Sequence, residues 1–504
     1  MIHEGAHGNS DLSAHFFRRG AALIGEHGAL GLIATNSIAQ GDTRTTGLRA
    51  LVDRGWGIFD ATGSMPWPGA AAVSVSLVHA GRGRARGRVP LLLDGFAVPA
   101  LNSQLQAKPE RADPAQLGVN AAICFQGNMI NGRGFVLTPE ERDAYVRSSA
   151  SNEQVVFPYL GGEEVNTSPR QAFDRYVINF GERTLEEASA WPELLARVRE
   201  LVKSERDQIR DNTGKGAHAK KYWWQFVDRC DPLMAALHPL PRALVTANVT
   251  KHLVFAWQPS GRVLSNALRV FALARATQFA VLQSRVHEPW VRLLSSSMRT
   301  DLRYSASDCF ETFPFPRPDP RTVIAELEAI GEQLYETRAA FMVETNQGLT
   351  KTYNALKDTA CDDPRVLLLR RLHEDMDRAV LAAYGWTDIA VPPFCPLTDA
   401  DRAALQAFED EMIDRLYVLN AERAAEEERL GLGAKGPNGP KGKASAMGLT
   451  DADSDAMPAR EGEPAVPSSR SAGPNRSTKS AKPAKPAATS KKKPGSSQGQ
   501  GDLF

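Results

Sequence analysis

Residues 27–40 read His27-Gly28-Ala29-Leu30-Gly31-Leu32-Ile33-Ala34-Thr35-Asn36-Ser37-Ile38-Ala39-Gln40. Positions 29–34 form an unbroken apolar run that opens after His-Gly and closes on Thr35, Asn36 and Ser37. A strand that is apolar on both faces is expected in the middle of a parallel sheet covered by helices on both sides. Upstream, residues 12–24 place Leu12, Phe16, Phe17, Ala21, Leu23 and Ile24 roughly at helical spacing and leave Arg18 and Arg19 outside, which predicts a helix with an apolar buried stripe. Downstream, residues 45–52 predict a second helix. Residues 56–61 follow, and past a turn at 63–69 the segment AAVSVSLVH (71–79) alternates like a strand. Residues 1–80 therefore read as the closing half of a doubly wound α/β domain, with the opening half missing.

At 504 residues and 42% hydrophobic content the chain can bury more than one core. Its net charge is +1, so overall charge does not argue for nucleic acid and any basic surface must be local. Five scattered cysteines, Cys124, Cys230, Cys309, Cys361 and Cys395, show no CxxC and no metal spacing. They fit free thiols in a reducing cytoplasm, without metal ligation. No stretch approaches the roughly 20 apolar residues of a membrane span. The first residues, MIHEGAHGNSD, lack the basic and apolar regions of a signal peptide.

Residues 80–88, AGRGRARGR, alternate Arg82, Arg84, Arg86 and Arg88 along a glycine-rich linker. This is either solvated linker or a strip that tracks phosphates. Its Gly-x-Gly repeat opens no helix and is not a cofactor loop. Between 91 and 316 the pattern changes to short strands and turns. FQGNMINGRGFVL (125–137), VVFPYLGGEEV (155–165), RYVINF (175–180), RALVTANV (242–249), HLVFAWQPSGRVLSNALRVFAL (252–273) and ETFPFP (311–316) are rich in β-branched and aromatic residues. They predict an α+β module of mostly antiparallel strands. One helical excursion, 185–211, leads to a basic and aromatic cluster, Lys220, Lys221, Tyr222, Trp223 and Trp224. Residues 320–430 are helical by periodicity over 323–343, 366–384 and 403–430, with Gly385 as a helix stop and a polar loop at 348–354. Residues 431–504 are Gly, Pro, Ala, Ser and Lys with few large apolar side chains, the composition of a disordered basic tail.

The blocks DLSAHFFRRG, GLIATNSIAQGDTR, WPGAAAVSVSLVH, VVFPYLGGEEVN, RYVINFG, YWWQF, DLRYSASDCFETFPFP, GLTKTYN and LHEDMDRAVLAAYGWTDI occur in this order from the first residues to about Ile389. Together they resemble the MmeI-type N6-adenine DNA methyltransferases of type IIG restriction-modification systems, and they cover the back part of such an enzyme only. The resemblance implies a truncated class I methyltransferase (Rossmann-like) remnant over 1–80. It further implies a mixed α+β target recognition domain over 91–316, then a C-terminal helical region over 320–430. The full-length family uses S-adenosylmethionine, cradled on a glycine-rich turn. An Asn/Asp-Pro-Pro-Tyr/Phe tetrapeptide clamps the flipped adenine through its amide oxygen, a proline carbonyl and its aromatic ring. Neither motif occurs here in the right place. The only Pro-Pro-Phe, Pro392-Pro393-Phe394, follows Val391, which offers no acceptor, and reads as a decoy. No catalytic residue is therefore assigned, and the chain alone is expected neither to bind the cofactor nor to transfer methyl groups.

By the same resemblance Asn36, at the carboxyl end of its strand, and Trp67, in a Pro-Trp-Pro turn, are candidate pocket walls. A turn-forming asparagine and a packed tryptophan are the ordinary alternatives. Candidate DNA contacts in the recognition module are Lys220, Lys221, Thr250, Lys251, His252, Arg262, Asn266 and Arg303, the residue types that bond base edges and phosphates. Three functional classes remain open: an enzyme fragment awaiting its missing half, a non-enzymatic specificity module serving a separate catalytic chain, and a helical assembly protein. No nuclease cluster of the PD-(D/E)xK kind is visible. Residues 500–504, Gln500-Gly501-Asp502-Leu503-Phe504, resemble the peptide with which bacterial DNA enzymes hook the replication sliding clamp. In that reading Leu503 and Phe504 are apolar anchors and Gln500 bonds at the pocket rim.

Overall fold

The computed structural model describes residues 3–24, 27–71, 73–83, 90–209, 214–298 and 301–432. The apolar run does form a strand, β1 (Ala29–Thr35), but not in the setting expected of it. Beyond β2 (Gly57–Pro66) the chain turns into β3 (Ser74–Gly81), which pairs antiparallel with β1 on one side and with β2 on the other. Two short strands, β4 (Leu91–Leu93) and β5 (Phe96–Val98), complete a mixed sheet of order β1-β3-β2-β4-β5. Among the described residues strand β1 is thus an edge strand with an antiparallel neighbour, not the centre of a parallel sheet. Its burial alternates, with Leu30 and Ala34 inside while Ile33 is 58% exposed. Six residues of apolar sequence could not distinguish one covered face from two, because the covering elements lie elsewhere in the chain.

The covered face packs on α1 (Leu12–Ile24) and the helical run 41–53. Helix α1 has the predicted bounds, and Phe17 and Ala21 of the expected stripe face inward with Arg19 outside, but the rest of the stripe does not join them. Ala14, Phe17, Arg18 and Ala21 are buried, whereas Leu12, Phe16 and Leu23 are 62%, 67% and 70% exposed. Small residues decide the contact: a Cβ on Gly47 would lie 3.1 Å from the Ala14 Cβ, so the two helices meet along their smallest side chains. Arg18, expected outside, is buried and donates through Nη2 to the Glu4 carbonyl at 2.9 Å.

The middle of the chain builds three small sheets. Strands β6 (Cys124–Gln126), β7 (Val136–Leu137), β8 (Val156–Leu160) and β9 (Arg175–Ile178) precede the helix α2 (Gly214–Lys221). After it come β10 (Arg242–Ala247), β11 (Val249–Thr250), β12 (Ala256–Pro259), β13 (Val263–Leu264) and β14 (Leu268–Phe271). The hairpin β15 (Ser296–Met298) and β16 (Asp301–Arg303) closes the set. Sheet orders are β12-β10-β14-β6, β13-β8-β9-β7 and β11-β16-β15, antiparallel throughout except between β13 and β8. Where the first two meet, Gly127 is required: a Cβ there would sit 2.2 Å from the Ser265 carbonyl oxygen. A core of Phe135, Phe180, Trp191, Trp223, Trp224 and Phe226 holds the second sheet. Beside it, buried Arg206 donates to the carbonyls of Ile130, Asn131, Tyr222, Trp223 and Gln225, at 2.7 to 3.3 Å.

The third part is helical: α3 (Ala276–Gln283), α4 (His287–Leu294), α5 (Ala325–Thr345), α6 (Leu349–Lys357), α7 (Pro364–Tyr384) and α8 (Asp399–Arg429). Gly385, at φ +80°, ends α7, and Thr398 with Asp401 forms a reciprocal cap on α8. The polar loop expected at 348–354 is helix instead. Leu349, Tyr353 and Leu356 recur at helical spacing and are buried, and Gly348 packs so closely that a Cβ would lie 2.4 Å from the Thr167 backbone. One continuous core joins β10 and β14 to α3, α5, α7 and α8. Residues 102–120 run along α8. Glu427 accepts from the Gly118 and Val119 amides at 2.6 and 3.1 Å, and Asn420 bonds both backbone groups of Ala115. Arg44 bonds Asp113 and Ser103, tying the helical run 41–53 to this strap.

Candidate nucleic-acid interface

The candidate residues fall at three places. The first gathers four of them. Val249 of β11 lies opposite Arg303 of β16, which brings the 250–252 turn beside Arg303. Thr250 is buried and its hydroxyl donates to the His252 carbonyl at 2.8 Å, so it shapes the turn and offers nothing outward. Lys251 is exposed and His252 buried, yet both reach one atom: Lys251 Nζ and His252 Nε2 lie 2.8 and 2.9 Å from Asn354 Oδ1. An amide oxygen accepts only, so His252 Nε2 carries the hydrogen. Burial lowers the His252 pKa, the Asn354 bond opposing it in part.

The second place is the seam between sheets. Arg262, in the turn after β12, donates to Gln258 Oε1 at 2.5 Å and lies over the Phe173 ring at 5.1 Å. Burial lowers its pKa. Asn266 bonds Asn128 through its backbone, and Gln126 donates to its carbonyl at 3.1 Å, so both residues are knitted into the structure. The third place is the end of α2. Lys221 is exposed with its ammonium 5.1 Å from the Tyr222 ring, and Lys220 is half-buried and already partnered. Trp223 and Trp224 beside them are core, with Trp224 Nε1 donating to the Arg183 carbonyl at 2.9 Å.

Asn36 and Trp67 share one end of the first sheet. Val75 of β3 pairs with Thr35 on one side and Met65 on the other, so the two residues flank the start of β3. Asn36 opens a short 3-10 turn and is partnered. Trp67 is 42% exposed and lies over its own turn, where a Cβ on Gly69 would come within 2.4 Å of its Nε1. Pro392, Pro393 and Phe394 are occupied structurally. Both proline carbonyls accept from Arg285, and the Phe394 ring stacks on His373 at 4.5 Å. Sequence reasoning missed Asn354, because its partners lie about a hundred residues away in the chain, and with it the exposed Lys351 three residues before. Arg84, Arg86, Arg88, Gln500, Leu503, Phe504 and the tail from residue 433 lie outside the described residues. Among the described residues no three His, Cys, Asp or Glu side chains are grouped to hold a metal, and no helix is long and apolar enough to cross a membrane.

Comparison with known proteins gives three findings. Residues 112–317 match the family model of the MmeI target recognition domain. A stretch of 122 residues is 32% identical to DNA methyltransferase A of Bacillus subtilis (strain 168), covering 24% of this chain and 12% of that protein. The fold is similar to that of the Type IIL restriction-modification enzyme MmeI, solved in complex with DNA, with a TM-score of 0.58 and 20% identity. That likeness covers 81% of this chain and 54% of the MmeI chain, so this chain spans about half the length of its solved relative.

Proposed function

From residues 112–317, which match the family model of the MmeI target recognition domain, we infer that this chain is the DNA-recognising part of a site-specific adenine-N6 DNA methyltransferase of a type IIG restriction-modification system, acting in the cytoplasm. The observation that carries the reading is the match of residues 112–317 to the recognition-domain family model; the fold likeness extends beyond it across 81% of the chain. The mixed sheet of 29–98 fits the reading of a methyltransferase remnant, since β1 offers an open edge to further strands. The residues present do not fit S-adenosylmethionine. Strand β1 runs into Thr35-Asn36-Ser37 rather than a glycine-rich turn, and the Pro-Pro-Phe carbonyls are taken by Arg285. The chain alone therefore binds duplex DNA without transferring methyl groups, and the cofactor belongs to the missing methyltransferase half. Should that half be a separate intact chain, the same surfaces describe a specificity module.

Two assays test this. The pure chain is incubated with tritiated S-adenosylmethionine and mixed-sequence DNA, and its affinity for duplex DNA is measured across salt. No methyl incorporation and a falling, salt-dependent affinity are expected. Incorporation by the chain alone removes the fragment reading, and salt-independent binding or none favours a helical assembly protein. The tail motif adds a proposed partner, the bacterial sliding clamp. A peptide of residues 470–504 should bind it, and one with Leu503 and Phe504 changed to alanine should not. Equal, negligible binding of both peptides ends that proposal.

A further inference from the structure

Asn354 is held by its oxygen. With the Lys251 ammonium 2.8 Å and the His252 Nε2 2.9 Å from Oδ1, the orientation of the amide is fixed, because an ammonium only donates. Its Nδ2 then faces away from the 251–252 turn, on a residue that is exposed. Helix α6 sets the exposed Lys351 three residues earlier, on the same face. Lys351 has no ion pair among the described residues. Arg303 stands beside the turn on β16. The acids of the neighbourhood include Asp301, the exposed and already partnered Glu163 on the helix 162–167 packed beside α6, and Glu288, which is engaged by Lys357 and Arg292.

We propose that α6, which lies beyond the matched 112–317, is a second DNA-backbone contact. The Asn354 N–H and the ammonium groups of Lys251 and Lys351 together hold a phosphate of duplex DNA. Asparagine reads adenine by accepting from N6 while donating to N7. The Asn354 oxygen already accepts two bonds, so the side chain presents donors alone. Phosphate oxygens present acceptors alone, and the match is to the backbone rather than to a base edge. Asn354 thus positions the duplex and carries no sequence preference. The inference rests on the reading that this chain binds DNA.

Asn354→Asp is the discriminating variant. It keeps an oxygen for Lys251 and His252, so the turn is retained, and replaces the outward N–H donor with an oxygen on a charged group. Full-length chain is titrated onto labelled duplexes of several sequences across a salt series, with thermal unfolding as the fold control. N354D should bind all duplexes alike and roughly tenfold or more weakly, and K351A should lower the salt slope by about 0.9. R378A, which removes an equal charge from an exposed pair with Asp375, should leave affinity unchanged. Wild-type affinity in N354D, an altered sequence preference, or a loss in R378A equal to that in K351A overturns the inference. If the unaltered chain binds no duplex, the DNA-binding reading falls and takes this inference with it; if it binds and N354D binds equally, only the inference falls.

Discussion

Asp377 grips Arg285 twice: Oδ1 accepts the Arg285 backbone amide at 2.8 Å and Oδ2 accepts its Nε–H at 2.6 Å. The carboxylate sits on α7 in the helical region, and its side chain is 1% exposed. The guanidinium comes from the segment between α3 and α4, and its remaining N–H groups go to Pro392 and Pro393. Burial raises the Asp377 pKa, opposed by the adjacent guanidinium. Removing one partner strands a buried charge, so Asp377→Ala should cost about 3–5 kcal/mol. Urea unfolding measures it, and a loss below 1 kcal/mol would mean that water reaches the pair.

His287 makes the fold sensitive to acid. The ring is fully buried, Nδ1 donates to the Leu282 carbonyl at 2.8 Å, and Nε2 faces the Tyr304 hydroxyl at 3.3 Å. Burial pushes its pKa down to about 4. The unfolded chain, titrating near 6.5, binds a proton that the folded chain refuses, so this stability is present above about pH 6.5 and is lost as pH falls toward 4. Between pH 7 and 5 the chain should lose about 2 kcal/mol through this residue. His287→Gln, compared with the unaltered chain in urea at both pH values, should show a smaller difference between them.

Lys220 and Lys221 end α2 beside the tryptophan core, which makes them a rigidly mounted basic pair. If they touch phosphates, changing both to alanine should weaken binding to all duplexes alike and reduce the salt slope by about 1.8. Binding curves on several sequences at three salt concentrations decide. A change in sequence preference would place the pair on bases instead.

Element types were legible in the sequence where the signal was local. The bounds of α1, the Gly385 stop and the aromatic strands of the middle module all follow from spacing or from one residue's conformational freedom. Facing was legible only in part. The packed side of α1 is set by Gly47 and Ala14 meeting, a contact that no periodicity within α1 contains. The same holds for the site. Lysines and a histidine at 251–252 are visible as chemistry, but Asn354, which orients them, comes from a helix about a hundred residues later. Arg206 shows the limit from the other direction. A lone arginine in a helical stretch gives no sign that a whole set of backbone carbonyls depends on it.

The open side of the first sheet should be the chain's weak point. Among the described residues β1 has no strand beyond it, so its outward amides and carbonyls are unpaired, and Ile33 stands exposed on the uncovered face. Leu12, Phe16 and Leu23 of α1 add further apolar surface. A protein alone in solution rarely keeps such a surface uncovered, and self-association is the expected outcome at high concentration. Hydrogen exchange at 29–35 should therefore be faster than in α7, whose Leu369, Met376 and Val380 are fully buried. Changing Leu12, Phe16 and Leu23 together to glutamine should raise solubility and leave the urea midpoint within about 0.5 kcal/mol, because these side chains bury little in the isolated chain. Sedimentation and exchange measured on the two chains test the argument. An unaltered chain that stays monomeric, with β1 exchanging as slowly as α7, would mean that the edge and the α1 surface are covered in solution.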